Sequence, residues 1–431
     1  MQKSYEVLNL KIPGSKSISN RAILLASLAK GSSHLQGILR SEDTSWMIRI
    51  CRQLGAHIQD LDDENLLIEG VDGRFQECSE ELYVGNAGTC ARFLCAALLR
   101  GRGTYTLRGN ARMHERPIAD LIAVLRKWGA QIECLEKDGC LPLKIHSLES
   151  LSGGHIEVPA NISSQFLSAL LMLAPFSTQD VQITVPGNFV SSSYVAMTYS
   201  MMKMFGIQIS NPKKSQFLIP ANQSYSARNF KIPGDASSAS YFFALAAITG
   251  SQIQVDNLEE NPIQSDLQFV NLLQLMGCEV ECEGSRVRVL GKQQLRSISV
   301  DMNDISDMVP SLAIVAMCAE GVTNIYNVAH IRNKECDRIT ALCKELRKLG
   351  AKVTEYSDGL SITAPEQITK EDVLINTYDD HRIAMSFAIL AKRFPSIRLE
   401  NPDCVKKTYP GFFADLALAN CPIFVDDNEL A

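Results

Sequence analysis

The chain has 431 residues, of which 46% are hydrophobic and 21% charged, a composition typical of globular proteins and not of disordered, collagen-like or coiled-coil chains. Its 42 basic and 48 acidic residues give a net charge of -6, which disfavours nucleic acid or an anionic membrane surface as a partner. No run approaches the roughly 18 to 20 apolar residues of a membrane span, and the start of the sequence lacks a secretory apolar segment. We therefore expect a soluble, unprocessed, cytoplasmic protein of two to four domains, or of two large ones.

The thirteen cysteines and seven histidines show no spacing typical of metal ligands. No Cys-x-x-Cys pair occurs, and the odd number of cysteines does not indicate a disulfide framework. The sequence thus predicts reduced thiols that serve as small apolar residues, and no structural zinc.

The first strong element is a short strand at residues 10–12, followed by a turn and a helix that continues to Ala29. Ser15, Lys16, Ser17 and Arg21 stand in the turn and in the first turns of this helix. Backbone amides at a helix start attract anions, and basic side chains there add charge. The spacing is not that of a nucleotide P-loop, so the segment indicates either a carboxylate or phosphate site or a capped helix with solvated basic residues.

A phrase of helix, glycine and alternating strand then recurs along the chain. Its glycines are Gly55, Gly129, Gly206, Gly277 and Gly350, separated by 74, 77, 71 and 73 residues. Glycine just past a helix takes the left-handed conformation that ends it, and the following alternation predicts a half-buried strand. The regular spacing predicts about six similar units that each contain helix and strand.

A longer echo divides the chain into halves. Residues 10–17 are matched by residues 230–237, and each segment is followed by an apolar helix. The offset is 220 residues, about three of the shorter periods. Two globular halves of three units each are therefore favoured over a continuous solenoid.

Three further polar segments open helices in the first half. Residues 85–89 place a glycine-bearing turn before an apolar helix, and residues 163–165 and 191–194 place serines before two others. Such serines cap helices or contact ligands, and a glycine allows a ligand to approach the backbone closely.

Charged clusters mark the second half. Residues 332–338 hold five charges at a predicted helix start, where Lys334 and Arg338 would share one helix face. Asp380 is a candidate cap for the helix that follows it, with Arg382 in its first turn. Residues 301–308 and 406–410 complete the set. Each cluster alone could be a solvated surface, but together they suit a cleft that binds two anionic small molecules.

These segments contain Pro-Gly-Ser-Lys-Ser-x-Ser-Asn-Arg from Pro13, Gly-Asn-Ala-Gly-Thr from Gly85 and Lys-Glu-x-Asp-Arg from Lys334. In this order they resemble the enolpyruvyl transferase family, and the resemblance extends from about Leu10 to about Phe413. It implies an α/β (α+β) fold of two similar domains, each of three βαβαββ units in an inside-out α/β barrel. It also implies that residues 1–13 plus 234–431 form a discontinuous domain, that residues 14–233 form an inserted domain, and that the active site lies in the cleft between them.

The resemblance assigns residues to two substrates. For phosphoenolpyruvate it implies Lys16, Asn86, Gly88, Arg116, Gln165, Arg338, Arg382 and Lys407, with Arg338 and Arg382 on the carboxylate. For shikimate 3-phosphate it implies Lys16, Ser17, Arg21, Ser163, Ser164, Gln165, Ser191, Tyr194, Asp307 and Lys334, with Ser17 and Arg21 on the carboxylate and Tyr194 over the ring. Asp307 would take the proton of the 5-hydroxyl, and Glu335, with Lys16 nearby, would serve the methylene carbon.

The implied reaction transfers the enolpyruvyl group to the 5-hydroxyl with release of phosphate, by addition and elimination, in the synthesis of chorismate and aromatic amino acids. No metal or organic cofactor is implied, because the leaving phosphate is already activated. The expected partners are the two substrates alone, without nucleic acid or membrane, and the expected state is a monomer. The resemblance also implies inhibition by glyphosate at the phosphoenolpyruvate site. Three departures from the family pattern are visible: His330, where many members have Asn; Asp307, which lacks the usual Pro before it; and Phe93, where glyphosate-sensitive members often have Pro.

Two alternatives differ from this interpretation. Within the family, transfer to UDP-N-acetylglucosamine goes with a Gly-x-Lys-Asn motif and a reactive loop cysteine, whereas this chain has Ser15-Lys16-Ser17 and no cysteine in residues 112–117. From another class, a non-catalytic anion-binding repeat protein would use the same cleft only for binding. Phosphate release on mixing the two substrates separates an enzyme from a binding protein.

Overall fold

A computed structural model describes residues 7–159, 163–187, 190–213, 215–292, 294–366, 372–419 and 424–425. Residues 1–6, on which the expectation of an unprocessed start partly rests, lie outside the described residues. The acidic segment from residue 426 to the end also lies outside them. Among the described residues, no helix is both long enough and apolar enough to cross a membrane. Two compact units form the fold, one of Met1–Pro13 with Pro233–Ala431 and the other of Gly14–Ile232.

The α-helices of the described residues have these bounds: α1 (Lys16–Leu28), α2 (Glu42–Gln53), α3 (Gly88–Ala97), α4 (Ala111–Glu115), α5 (Ala119–Lys127), α6 (Ser164–Leu173), α7 (Ser192–Met204), α8 (Ala236–Thr249), α9 (Phe269–Leu275), α10 (Val309–Ala316), α11 (Arg338–Lys348), α12 (His381–Leu390) and α13 (Phe412–Leu418).

The strands of the described residues have these bounds: β1 (Leu8–Leu10), β2 (Ser32–Gln36), β3 (His57–Asp60), β4 (Asn65–Glu69), β5 (Leu82–Tyr83), β6 (Thr104–Arg108), β7 (Gln131–Cys134), β8 (Leu143–His146), β9 (Gly154–Glu157), β10 (Val181–Thr184), β11 (Ser210–Lys213), β12 (Gln216–Ile219), β13 (Asn229–Lys231), β14 (Gln252–Val255), β15 (Glu279–Glu283), β16 (Arg286–Leu290), β17 (Leu295–Arg296), β18 (Ser299–Asp301), β19 (Ala319–Glu320), β20 (Val322–Tyr326), β21 (Lys352–Tyr356), β22 (Gly359–Thr363), β23 (Val373–Asn376), β24 (Ile397–Glu400) and β25 (Phe424–Val425).

The Gly14–Ile232 unit contains three four-stranded sheets of one pattern. Their strand orders are β13-β2-β4-β3, β5-β6-β8-β7 and β11-β12-β10-β9. In each sheet one parallel pair joins an antiparallel hairpin, as in β5 with β6 and then β8 with β7. From β5 to β8 the order is that of the βαβαββ unit, with α4 and α5 together in the place of its second helix, and the predicted repeat is confirmed.

The other unit repeats this pattern in two of its sheets, whereas the described strands of its third sheet, β23-β24-β25, are all parallel. Its sheets are β1-β14-β16-β15, β18-β20-β22-β21 and β23-β24-β25, with β17 and β19 forming a small separate pair. Strand β1 pairs in parallel with β14, its neighbour in space but not in sequence, through Leu8 opposite Ile253 and Leu10 opposite Val255. In each unit, one sheet is therefore completed by an outer strand from a distant part of the chain, β1 in this unit and β13 in the other.

The five repeated glycines end helices as predicted. Gly55, Gly129, Gly206, Gly277 and Gly350 all have φ between +89° and +111°. Each follows the capping residue of its helix, and β3, β7, β11, β15 and β21 begin within a few residues. An L side chain is strained at these dihedral angles, so glycine is the residue that ends a helix there without cost.

Helices buried on most faces form the core of each unit. In the Met1–Pro13 with Pro233–Ala431 unit, α8, α10 and α12 pack against one another, and every residue of α10 and α12 is buried. In the Gly14–Ile232 unit, α3 packs against α6 and α6 against α7. A helix that is apolar all round is stable only when enclosed. Most of the sequence motifs lie at the ends of these helices, whereas Arg21 is a buried charge within α1.

Candidate active site

Arg21 is a buried cation in the middle of α1. Its Nε donates to Thr198 Oγ1 at 2.7 Å, its Nη1 to the Ser17 carbonyl at 2.9 Å and its Nη2 to the Tyr194 carbonyl at 3.2 Å. Burial lowers the pKa of Arg21 to about 10, which leaves it charged at neutral pH. These neutral acceptors fix the guanidinium, so α1 and α7 together hold a positive charge beside Ser17 and Tyr194.

Lys16 is the first residue of α1, whose cap is Ser15. Its Nζ lies 3.5 Å from a carboxylate oxygen of Asp43, and the two side chains are 14% and 4% exposed. Asp43 belongs to the first turn of α2, where the helix dipole stabilises a carboxylate. Sequence reasoning missed Asp43, because a carboxylate in the first turn of a helix is ordinarily explained by its interaction with the helix dipole and does not indicate a partner elsewhere in the chain.

Arg116 lies against the start of α3. Its Nη1 donates to both the carbonyl and the side-chain oxygen of Asn86, at 3.1 and 3.0 Å, and the residue is 4% exposed. A Cβ built on Gly88 would lie 2.5 Å from Arg116 Nη2. Any side chain at residue 88 would therefore displace the guanidinium, and this gives the Gly-Asn-Ala-Gly-Thr motif a physical reason. The structure brings Asn86, Gly88 and Arg116 together, as the resemblance implies.

Serines stand at the starts of α6 and α7. Ser163 caps α6 by accepting the Gln165 backbone N–H at 3.3 Å, and the Gln165 side chain donates to Thr89 Oγ1 at 3.4 Å. Ser191, just before α7, has φ +54° and is 2% exposed. A non-glycine residue in the left-handed region is uncommon and often marks a functional turn. Ser164 is buried in the first turn of α6.

Arg338 is the centre of an ion-pair cluster in the Met1–Pro13 with Pro233–Ala431 unit. Its Nε donates to Asp380 at 2.7 Å, its Nη1 to Asp307 at 3.0 Å and its Nη2 to Glu335 at 2.9 Å. Arg338 is 1% exposed. Burial alone lowers its pKa, but Asp380, Glu335 and Asp307 together raise it above the ordinary value.

Asp307 lies between two arginines. One carboxylate oxygen accepts from Arg338, and the other accepts from Arg382 Nη2 at 2.7 Å. Arg382 Nη1 is 3.5 Å from the Tyr241 hydroxyl. Asp380 accepts the Arg382 backbone N–H at 2.8 Å, so it caps α12 as predicted while also holding Arg338.

The predicted helical face of Lys334 and Arg338 is wrong. Helix α11 begins at Arg338, with Asp337 as its cap, and Lys334 precedes it with φ -90° and ψ -147°. Asp337 accepts the Thr340 N–H at 3.1 Å, and this cap starts the helix at Arg338, four residues after Lys334. Lys407 is buried at the end of a short 3-10 helix, Pro402–Lys407.

Two further groups in this unit, Asp266 and His330, have no role assigned by the resemblance. Asp266 is 4% exposed and accepts from Ser237 Oγ; burial, and then the charge of Asp307, raise its pKa to about 6. Burial, and then the charge of Lys334, lower the pKa of His330 to about 4, so it is neutral at physiological pH. No sequence signal marks Asp266, because its spacing from Asp307 has no motif.

Two sets of charged groups therefore result. In the Gly14–Ile232 unit, Lys16 and Arg116 lie at the starts of buried helices, where backbone amides also favour anions, and Arg21 lies within α1. In the other unit, the guanidinium groups of Arg338 and Arg382 share the Asp307 carboxylate, which an anionic ligand could replace. Among the described residues, no group of three or more His, Cys, Asp or Glu side chains has the arrangement of a metal site.

Comparison with known proteins gives consistent matches over nearly the whole chain. The sequence profile of the family described as EPSP synthase (3-phosphoshikimate 1-carboxyvinyltransferase) matches residues 6–416. A relative from Nostoc sp. named 3-phosphoshikimate 1-carboxyvinyltransferase is 44% identical over 406 residues, 94% of each chain. One from Psychromonas ingrahamii with the same name is 42% identical over 417 residues, 96% of each chain. A solved structure of EPSP synthase from Acinetobacter baumannii superposes with a TM-score of 0.78 at 26% identity, covering 96% of this chain and 95% of that one.

Proposed function

The chain belongs to the EPSP synthase family and so is a 3-phosphoshikimate 1-carboxyvinyltransferase, and we propose that the two sets of charged residues described above form its active site. The enzyme transfers the enolpyruvyl group of phosphoenolpyruvate to the 5-hydroxyl of shikimate 3-phosphate and releases phosphate, a step of the shikimate pathway. The alternatives, a UDP-N-acetylglucosamine enolpyruvyl transferase and a non-catalytic binding protein, are not favoured by the family or by the relatives.

The chemistry requires two proton transfers. In the addition step the 5-hydroxyl loses its proton as its oxygen bonds to C2 of phosphoenolpyruvate, while the methylene carbon gains a proton. In the elimination step a proton leaves the new methyl group as the C–O bond to phosphate breaks. We propose that Asp307 is the base for the hydroxyl and that Glu335, with Lys16, serves the methylene carbon.

One observation carries this assignment: Asp307 and Glu335 both accept from the guanidinium of Arg338, at 3.0 and 2.9 Å. Two carboxylates that accept from the same guanidinium lie within a few ångströms of each other. An acid and a base that act on the same small substrate must be this close. The arginine between them could also bind the phosphoenolpyruvate carboxylate in a bidentate manner. We propose that Arg338 and Arg382 exchange part of their contacts with Asp307 for that carboxylate when substrate binds.

The phosphate of phosphoenolpyruvate is assigned to the other set. Arg116 beside Gly88, the backbone amides at the start of α3, and Gln165 offer hydrogen-bond donors to an oxyanion, and the helix dipole favours it. Lys16 and Asn86 belong to the same proposal, and Lys407 supplies a further cation. Since Gly88 leaves room only for hydrogen, the phosphate can approach the backbone closely.

Shikimate 3-phosphate is assigned to the serine-rich helix starts. Ser163, Ser164 and Ser191 offer hydroxyl groups for its 3-phosphate, to which Lys334 adds charge. Arg21 and Ser17 are proposed to bind its carboxylate, and Tyr194 to lie over its ring. The finer expectations of two domains with the substrates in the cleft between them, of a monomeric state and of a cytoplasmic location belong to this proposal.

Phosphate release tests the proposal directly. Purified protein mixed with phosphoenolpyruvate and shikimate 3-phosphate should release one phosphate for each product formed, and neither substrate alone should release any. Asp307→Asn should abolish most of this turnover. Asp304→Asn is the matched control, because Asp304 is exposed on the same 3-10 helix, Asn303–Met308, and should leave turnover unchanged. Equal activity of the two variants would remove Asp307 from the role of base.

A further inference from the structure

The ring of Phe93 lies against the guanidinium of Arg21. The Arg21 Cζ is 5.0 Å from the ring centroid, and Phe93 and Arg21 are 1% and 3% exposed. A cation within about 6 Å of an aromatic ring is attracted to the negative face of that ring, and more strongly where water is excluded. Phe93 is thus a direct electrostatic partner of Arg21 and not only an apolar neighbour.

Arg21 differs from Arg338, another buried arginine of the proposed site. Arg338 donates to three carboxylates. Among the described residues no carboxylate lies within ion-pair distance of Arg21, whose partners are a hydroxyl, two carbonyls and the Phe93 ring. A buried charge without an opposite charge is costly, and weak dipoles and a ring offset this cost only in part. An anionic ligand would supply the missing charge.

Helix α3 also separates the two substrate sites along its length. Its first residue, Gly88, contacts Arg116 of the proposed phosphoenolpyruvate site, whereas Phe93 lies more than one turn further on and contacts Arg21. A change at residue 93 can therefore act on one substrate and not on the other.

We infer that Phe93 is a positioning residue for shikimate 3-phosphate, because its ring holds the Arg21 guanidinium in the orientation that receives the substrate carboxylate. The inference rests on the proposed role of Arg21. Thr198 completes the support: it accepts from Arg21 Nε and donates to Ser168 Oγ at 2.8 Å. The Phe93 ring then fixes the flat face of the Arg21 guanidinium, and the Thr198 hydroxyl fixes its Nε edge. The remaining N–H groups of Arg21 are thereby directed to a ligand.

The test removes the ring face while keeping the side chain apolar. Phe93→Leu should weaken shikimate 3-phosphate binding about tenfold, equal to about 1.4 kcal/mol, as measured by titration calorimetry and by the KM for this substrate. The KM for phosphoenolpyruvate and kcat at saturation should stay within about twofold. Phe217→Leu, at a residue that is 1% exposed in β12 of the same unit, is the matched control for lost core volume and should leave both KM values unchanged.

Two further measurements separate electrostatics from packing. Phenylalanines with one, two and three ring fluorines at residue 93 keep the shape of the ring but progressively weaken its negative face, so the dissociation constant for shikimate 3-phosphate should rise stepwise with fluorination. The analogue with a neutral carboxamide in place of the carboxylate should bind the native protein and Phe93→Leu equally.

Three results would overturn the inference: native affinity in Phe93→Leu, equal weakening for both substrates, or no dependence on fluorination. Failure of the proposed function is distinguishable, because then the unsubstituted protein would release no phosphate from the substrate pair.

Discussion

Replacing Asp380 with Asn tests how much the ion-pair cluster contributes to stability. One Asp380 oxygen accepts from Arg338 Nε at 2.7 Å, and the other accepts the Arg382 N–H at 2.8 Å and Arg338 Nη2 at 3.3 Å. In Asn one of these oxygens becomes an NH₂ group, so a buried donor of Arg338 or of the α12 backbone must face another donor. Asp380 is 0% exposed, and water cannot substitute for the lost acceptor.

The magnitude follows from two losses. One charged hydrogen bond contributes about 1.5 to 3 kcal/mol, and one buried unsatisfied donor costs about 1 to 3 kcal/mol. We expect Asp380→Asn to lower the free energy of unfolding by about 3 to 5 kcal/mol, the range found when a buried ion pair loses one partner. Asp307 and Glu335 continue to neutralise Arg338, which keeps the loss from being larger.

A matched control is available in the same unit. Asp337 also caps a helix, α11, and also pairs with an arginine, Arg332 at 2.7 Å, but the side chains of Asp337 and Arg332 are 39% and 24% exposed. Water can replace a lost contact there, so Asp337→Asn should cost less than about 1 kcal/mol. Urea unfolding with m-values checked for two-state behaviour measures both variants. Equal losses would refute the argument that burial of the acceptor sets the cost.

Other predictions concern catalysis, inhibition and pH. Asp307→Ala and Glu335→Ala should each lose most turnover while calorimetry shows retained shikimate 3-phosphate binding; normal turnover in either variant would exclude that residue from proton transfer. Gly88→Ala should raise the inhibition constant for glyphosate much more than the KM for phosphoenolpyruvate. The added methyl would lie 2.5 Å from Arg116 Nη2, and glyphosate, which is longer than phosphoenolpyruvate, has less room beside it. Steady-state inhibition that is equal in both proteins would place Gly88 outside the inhibitor site. His330 has a lowered pKa of about 4, mainly through burial, so the unfolded state binds a proton as pH falls from 6.5 towards 4 while the folded state does not. Folding stability should fall over that range in urea titrations, and His330→Asn should remove this part of the loss; an unchanged pH dependence would contradict a buried neutral imidazole.

The repeat architecture could be predicted from the sequence because its signal is local. A glycine such as Gly129 must take a left-handed conformation after a helix, and this requirement involves only a few consecutive residues. The same reason explains the success with Asp380 as a cap. The prediction that Lys334 lies on the same helix as Arg338 is wrong because Asp337 caps α11 after Lys334, and the charge pattern alone does not show which residue ends the extended segment.

Contacts between distant segments were not predictable without the family resemblance. Asp43 meets Lys16, Thr198 meets Arg21, and neither pair has a spacing that a motif could reveal. Asp266 next to the cluster of Asp307 is a further case, since its raised pKa arises from burial in the folded chain. The residue types at helix starts indicated anions, but which anion each start binds depends on three-dimensional neighbours.

The pairing of β1 with β14 has a consequence for synthesis on the ribosome. Strand β13 is parallel to β2 within the continuous Gly14–Ile232 segment, so every sheet of that unit can be completed once residue 232 has emerged. Strand β1 is translated before any of these sheets, but Leu8 pairs with Ile253, which lies beyond the end of that segment. The first strand to be made is therefore one that must wait for its partner.

During translation the amino-terminal segment is thus an unpaired strand attached to a unit that can already fold, and β14 presents an open edge until this segment reaches it. The order of folding is the reverse of the order of synthesis for these few residues. Shortening the chain from its beginning would leave that edge of β14 exposed for the lifetime of the protein.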